Sequence, residues 1–469
     1  MTSKQLKGTG APADVVVSTV TETAPVKNLS RNDSLPELAD NSPSSFANED
    51  GDEINYRSLK WWQAGMVMIA ETISLGILSL PAVLANLGLV PGIVLIVVMG
   101  ILSTYSGLVL GEFRRQHPWV QSFGDAGEVI GRPLGMGRFF QEFFGWAQTI
   151  FQIFVMGSHL LTWTICLNTL TDSSTCTIVW AFVGLAVFWS LNLPRTLKNA
   201  SYMSIVSFLS IFTAVLVTMI DVGIERPIGS TSIEVSRQVG FTSAFLSVTN
   251  IAVAFSGHSC FFSIISEFKE PVEWPKALAM LQICDTTIYL VASVVIYIYV
   301  GPDVPAPALT AAGSLKVRKA IWGIAIPMIV IAGVIYGHVA AKYIFVRAFA
   351  GTKHIAKRTK LGTAGWIGIT IVVWVIALVI AESIPVFSSL LGLVCALFAS
   401  WFSYGLPGIL WLCMHRGKWF KDRKMIAKFG ANVVLVLTGL TLCVLGLWSS
   451  AEAIHTETAT SAWTCKSNA

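Results

Sequence analysis

Between residues 61 and 450 the sequence returns repeatedly to apolar runs of 18 or more residues. A helix rising ~1.5 Å per residue needs such a run to cross the ~30 Å hydrocarbon core of a bilayer. Only 13% of residues are charged, against 54% hydrophobic, whereas a soluble domain carries about 25% charge. No long tract alternates apolar and polar residues as a membrane barrel would. The remaining solution that satisfies every backbone group in lipid is a helical bundle, so the expected fold class is an all-α membrane protein.

Eleven transmembrane helices are predicted, near 62–85, 88–112, 139–170, 178–193, 200–222, 241–265, 275–300, 318–348, 363–381, 386–413 and 428–450. The third and eighth are longer than a span requires and are expected to tilt or extend past the lipid. Residues 1–56 are polar, lack an apolar period and close on the acidic run NEDGDE; they are expected to be a disordered cytoplasmic tail. Lys4, Lys7, Lys27 and several serines there are candidate targets of ubiquitin or trafficking machinery. The opening MTSKQLKGTGAPADVVVSTV has no continuous apolar core of a secretory signal, so the first span is expected to direct insertion.

Orientation follows from Lys and Arg in the connections. One set of loops holds Arg114, Arg115, Arg132, Arg138, Arg195, Lys198, Lys269 and Lys276. The same set continues with Arg347, Lys353, Lys357, Arg358, Lys360 and the cluster from Arg416 to Lys428. The opposite loops hold only Arg226, Arg237, Lys316, Arg318, Lys319 and Lys466. The first set and the N-terminus are therefore expected in the cytoplasm, and residues 451–469 in an extracellular tail. The N-x-S/T matches begin at Asn28, Asn32 and Asn199, all on the expected cytoplasmic side. Most of the eight cysteines sit inside apolar runs; Cys176 and Cys465 fall outside, and their pairing is left open. The basic loops are read as topology signals, and the net charge of +5 gives no reason to expect nucleic acid.

Two spans are interrupted. The first contains ETISLGILSLPAV, residues 71–83, where Gly76 tolerates unusual backbone angles and Pro81 removes a donor. The sixth contains FSGHSCFFSIISEFKEPVEWPKAL, residues 255–278, with Ser256-Gly257-His258-Ser259 in mid-span. Broken helices at bilayer depth are tolerated where they line a cavity. Their freed N–H groups suit a carboxylate and their freed carbonyls a cation, the two charges of an amino acid. A proline kink that only aids packing is the competing reading. Interruptions five spans apart point to an inverted repeat of five helices plus five, with the eleventh helix extra. Repeat one would cover about 61–222, repeat two about 241–413 and the extra helix about 428–450, within a transporter domain of 57–450.

The SLGILSLP stretch and the F-S-G-H…E-F-K-E-P…W-P-K-A run resemble the amino acid/auxin permease family, over nearly all of residues 55–450. Within it the chain most resembles fungal neutral amino acid permeases of the methyltryptophan-resistance type. The resemblance implies the eleven-helix, five-plus-five fold, with substrate held at the breaks, and proton symport at the plasma membrane. The substrate-binding residues so implied are Thr72, Ser74, Leu75, Gly76, Ile77, Ser79, Phe255, Ser256, Gly257, His258 and Ser259. Ser74 departs from the pattern by standing where the family has a glycine; either its hydroxyl joins binding or it fits the same turn.

Ionisable residues at bilayer depth are functional candidates. Glu71, Asp285 and His258 are the proton-coupling candidates; His159 and His338 are read as groups that bridge helices. Phe255, Trp401, Phe402 and Tyr404 are expected walls for an apolar side chain, and no charge suits a charged one, which favours neutral amino acids. No P-loop, HExxH or G-x-S-x-G motif is present, so neither ATP hydrolysis nor enzyme activity is expected, and no cofactor or metal is called for. The expected partners are neutral amino acids, protons and the lipid bilayer. The competing readings are an amino-acid-sensing receptor of the same fold, a sodium-coupled carrier and a vacuolar carrier.

Overall fold

The computed structural model describes residues 59–195, 200–226, 233–352, 354, 359–458 and 462–468. The expected tail 1–56 with Lys4, Lys7 and Lys27, the sequons at Asn28, Asn32 and Asn199, and Lys198, Lys353, Lys357 and Arg358 lie outside them. The described residues form helices and one isolated bridge, between Leu59 and Phe268. The protein is an all-α, multi-pass membrane protein.

In chain order the helices are α1 (Trp61–Thr72), α2 (Gly76–Leu87), α3 (Leu89–Gln116), α4 (Phe123–Gly131), α5 (Gly137–Leu170), α6 (Thr177–Leu191), α7 (Ala200–Glu225) and α8 (Phe241–Ala254). There follow α9 (Phe261–Ser266), α10 (Trp274–Val300), α11 (Leu315–Ala348), α12 (Lys360–Ser383), α13 (Phe387–Val394), α14 (Leu406–Met414) and α15 (Arg423–Thr458). Among the described residues, 9 helical stretches are long and apolar enough to cross a membrane. Beside them, α1 and α2 together make one more, bent by 56° at its break, and α6 is apolar but shorter.

Three features differ in detail from the sequence expectation. The last helix runs on to Thr458, so residues assigned to an extracellular tail begin inside it; AEAIHTET carries helix-forming Ala and Glu that prolong the helix past the apolar run. A short helix, α4, sits between the second and third apolar runs, started by a capping box in which Ser122 accepts from Asp125 N at 3.2 Å and Asp125 accepts from Ser122 N at 3.0 Å. Between α13 and α14, residues Cys395–Gly405 wind as a π-helix.

Residues 462–468 are fastened to one end of the bundle. A disulfide joins Cys176 to Cys465. Asn468 donates to Thr164 Oγ1 at 2.8 Å and accepts from Asn168 at 2.8 Å, and Thr177 donates to Lys466 O at 2.7 Å. At the other end, Leu59 N donates to Glu267 O at 3.0 Å and Lys269 N to Leu59 O at 2.9 Å. The segment entering α1 is thus tied to the segment leaving α9.

Candidate functional site

The first break occupies Ile73–Leu75. Ile73 leaves the helical region with ψ 77°, and Ser74 N turns back to Thr72 O at 2.9 Å. The second half-helix restarts at Gly76, and among the described residues no backbone acceptor meets the N–H groups of Leu75 and Gly76. Glycine is required at 76 by proximity: a Cβ there would lie 2.6 Å from Ala254 Cα in α8. Pro81 falls in the second turn of α2, where its missing N–H weakens the ladder further.

The second break follows Ala254. Phe255 and Ser256 leave helical geometry, and a 3-10 turn over Gly257–Cys260 leads into α9. A Cβ on Gly257 would meet Thr72 Oγ1 at 2.5 Å, so the two breaks touch. One side chain serves both: the Tyr289 hydroxyl on α10 is 2.8 Å from Ala254 O and 3.1 Å from Thr72 O. Around it, Phe255 O accepts from Ser103, Ala252 O from Tyr404 and Ser259 O from Gln148. Buried carbonyls freed by a break must find donors, and in the second break side chains of neighbouring helices supply them.

Beside the breaks lies a hollow of ≈ 50 Å³, room for a few water molecules. Glu71, Thr72, Ser74, Leu75, Gly76, Ser256 and Gly257 line it, with Ser158 and His159 of α5 and Tyr336 of α11. Phe151, Val155, Val253, Leu391 and Val394 complete its apolar walls. Thr72 Oγ1 is buried with no hydrogen-bond partner among the described residues. The remaining residues of the sequence-derived set lie behind this lining. Ser79 bonds Gly76 O at 2.9 Å, Ile77 is in the core, and Phe255 stacks edge-on against Tyr289. Ser259 is buried with its hydroxyl beside the Cys260 sulfur. Nor do Trp401, Phe402 and Tyr404 wall the hollow; Phe402 packs against Phe123 at 4.9 Å, because the π-helical winding turns this stretch into the scaffold.

The three acids and bases proposed for coupling occupy different surroundings. Glu71, in the last turn of α1, borders the hollow and accepts from the Cys260 thiol at 3.2 Å. Asp285 is fully buried on α10, and neither of its carboxyl oxygens has a hydrogen-bond partner among the described residues. His258 is also fully buried, its Nε2 at 2.8 Å from Ser106 Oγ and 3.0 Å from Ser103 O. Those contacts make His258 a bridge between the second break and α3. Replacing it with alanine removes both contacts and leaves Ser106 only its bond to Ser103 O, a cost of about 1 kcal/mol or more. His258→Ala is therefore expected to lower the melting temperature of the purified protein while leaving the pH profile of residual uptake unchanged; a flattened profile would return it to the coupling candidates.

Sequence reasoning missed Tyr289, Cys260 and Tyr336 and read His159 as a bridge, although His159 lines the hollow. Tyr289 was visible only as one aromatic among many, since its value lies in reaching two carbonyls distant in sequence.

A family model described as transmembrane amino acid transporter protein matches residues 57–452. An N amino acid transport system protein of Neurospora crassa is 32% identical over 408 residues, covering 85% of this chain and 86% of that protein. Transmembrane transporters of Fusarium pseudograminearum and Gibberella moniliformis are 29% and 28% identical, each with 90% of both chains covered.

Proposed function

The chain belongs to the transmembrane amino acid transporter family, and from that membership we propose that it is a proton-coupled symporter carrying neutral amino acids, aliphatic and aromatic, into the cell across the plasma membrane. The observation that carries this reading is the meeting of two half-broken spans at one polar hollow. The unpaired N–H groups of Leu75 and Gly76 open a helix whose N-terminal dipole favours a carboxylate. Thr72 Oγ1 and Ser256 stand on the same hollow to receive the ammonium, with Glu71 beside them to take the coupled proton. Every other wall is apolar or uncharged, which suits a neutral side chain. In a hollow of ≈ 50 Å³ a bulky side chain requires Phe151, Leu391 or Val394 to move. The amino acid transport named for the Neurospora relative supports an amino acid as the substrate.

The proposed architecture counts the bent α1–α2 pair and short α6 with the 9 longer stretches as eleven spans, two repeats of five and an extra α15. Repeat one is about 61–222 and repeat two about 241–413. Alternating access is a rocking of the broken spans and their partners against the rest. The N-terminus is cytoplasmic and the C-terminus extracellular. Loop charge supports that orientation, and so does the Cys176–Cys465 disulfide, a bond that persists in oxidising compartments.

The test is uptake of labelled neutral amino acids by the purified protein in proteoliposomes, with proton and sodium gradients imposed separately. Concentrative uptake is expected with an inward proton gradient alone. Accumulation driven only by sodium would move the coupling to that ion, and saturable binding without accumulation would make the protein a sensor.

A further inference from the structure

A second hollow, of ≈ 330 Å³, opens at the end of the bundle where the Cys176–Cys465 disulfide fastens the C-terminal segment. Ile165 of α5, Pro385 and Val386 before α13, and Phe387 at its start form an apolar wall. Glu382, in the last turn of α12, faces the same space; it is 5% exposed, and its carboxylate makes no hydrogen bond or ion pair among the described residues. An ionised carboxylate in so enclosed a position, open only to the hollow, gains from a cation that reaches it. The fastened segment brings one cation to this hollow: Lys466, exposed on the rim, whose ammonium joins no ion pair among the described residues. Its backbone is held by Thr177, and its neighbour Cys465 by the disulfide, so the point from which the lysine reaches out is fixed.

The two hollows stand on the same helices. His159 and Ile165 are on α5, and Leu391 and Phe387 on α13. Ile165 lies roughly 9 Å beyond His159 along the helix axis. The larger hollow therefore lies on the line from the disulfide-bearing end of the bundle toward the central one.

We infer that this end hollow is a second binding site for an α-amino acid. Glu382 receives the ammonium, Lys466 the carboxylate, and Ile165, Val386 and Phe387 the side chain. Substrate would stop here before the central hollow admits it. The site does not depend on the central assignment, because its charges come from α12 and the C-terminal segment and not from either break.

The experiment is equilibrium dialysis of labelled L-leucine against the purified full chain and three variants, Glu382→Gln, Lys466→Ala and Gly76→Leu. Glu382→Gln is expected to bind one leucine fewer per chain than the wild type, or to hold it about tenfold more weakly, as loss of a charged hydrogen bond implies. Lys466→Ala, on an exposed residue that cannot unfold the bundle, is expected to weaken the same event. Isobutylamine should compete for it more strongly than isovalerate, because the amine meets the buried acid whereas isovalerate keeps only the lysine on the rim. Gly76→Leu should keep it. Wild-type stoichiometry and affinity in both Glu382→Gln and Lys466→Ala would overturn the site, as would absence of leucine binding in all four proteins. Loss of all binding in Gly76→Leu alone would leave only the central site standing. Retention of both leucines in Gly76→Leu would instead remove the central one.

Discussion

Gly76→Leu is expected to reduce uptake to background while the protein still reaches the membrane and purifies as a single species. The reason is local. Even a methyl at this position would sit 2.6 Å from Ala254 Cα and 2.8 Å from its Cβ, closer than such atoms approach. The obstacle on one side is backbone, which cannot rotate away. A leucine must push α2 from α8 and project into the hollow that Gly76 lines. Overpacking of this kind costs about 1–3 kcal/mol, and it falls on the contact between the two broken spans. Gly76→Ala carries the smaller insult and should keep a fraction of uptake, about a tenth if the cost is ~1.4 kcal/mol. Ala254→Gly removes the opposing Cβ and should recover part of what Gly76→Ala loses. Normal labelled-substrate uptake by Gly76→Leu would refute the placement of substrate at the breaks, because no pose there avoids the added side chain.

Most of the helical layout was readable because lipid leaves so few options. An apolar run of span length has to be a helix, and apart from the last helix, which outruns its apolar stretch at both ends, helix ends fall close to the ends of the runs: 139–170 against Gly137–Leu170, and 275–300 against Trp274–Val300. Both breaks were also legible, since Gly76 with Pro81 and the Ser256-Gly257 pair are local signals. Helix α4 is announced only by its S-x-x-D cap, because a nine-residue helix in a polar loop has no apolar run of span length. The side chains around the breaks were less legible. Whether His258 faces the hollow or α3 depends on the pitch of the 3-10 turn that carries it. Trp401, Phe402 and Tyr404 are turned by a π-helical winding that no residue in CALFASWFSYG announces. Tyr289 and Cys260 act through partners far away in sequence: Tyr289 reaches Thr72 O, and Cys260 reaches Glu71. Such pairs exist only once the helices have packed.

Glu71→Gln is expected to abolish concentrative uptake and to leave exchange of labelled for unlabelled amino acid across the membrane intact. Glu71 is the coupling candidate that borders the central hollow, whereas Asp285 and His258 lie behind its lining. A proton taken up there sits beside the bound ammonium and changes what the hollow holds. Glutamine keeps the shape and can still meet the Cys260 sulfur, so the hollow survives while the titrating group is gone. The sign follows from mass action: lowering the outside pH raises occupancy by the coupled proton, so wild-type uptake should rise as pH falls and the variant's should stay flat. For one coupled proton, each unit of imposed pH gradient sustains about tenfold accumulation. The wild type should approach that factor and Glu71→Gln should stop at equal concentrations. Cys260→Ser preserves a donor to the carboxylate and should keep coupling; Cys260→Ala removes it and should shift the midpoint of the pH profile without flattening it. If Glu71→Gln still accumulates substrate with the wild-type pH dependence, the coupled proton is not carried at the hollow. Asp285→Asn then becomes the decisive variant, because an unpartnered acid buried on α10 is another place in the bundle where a passing cation has reason to stop.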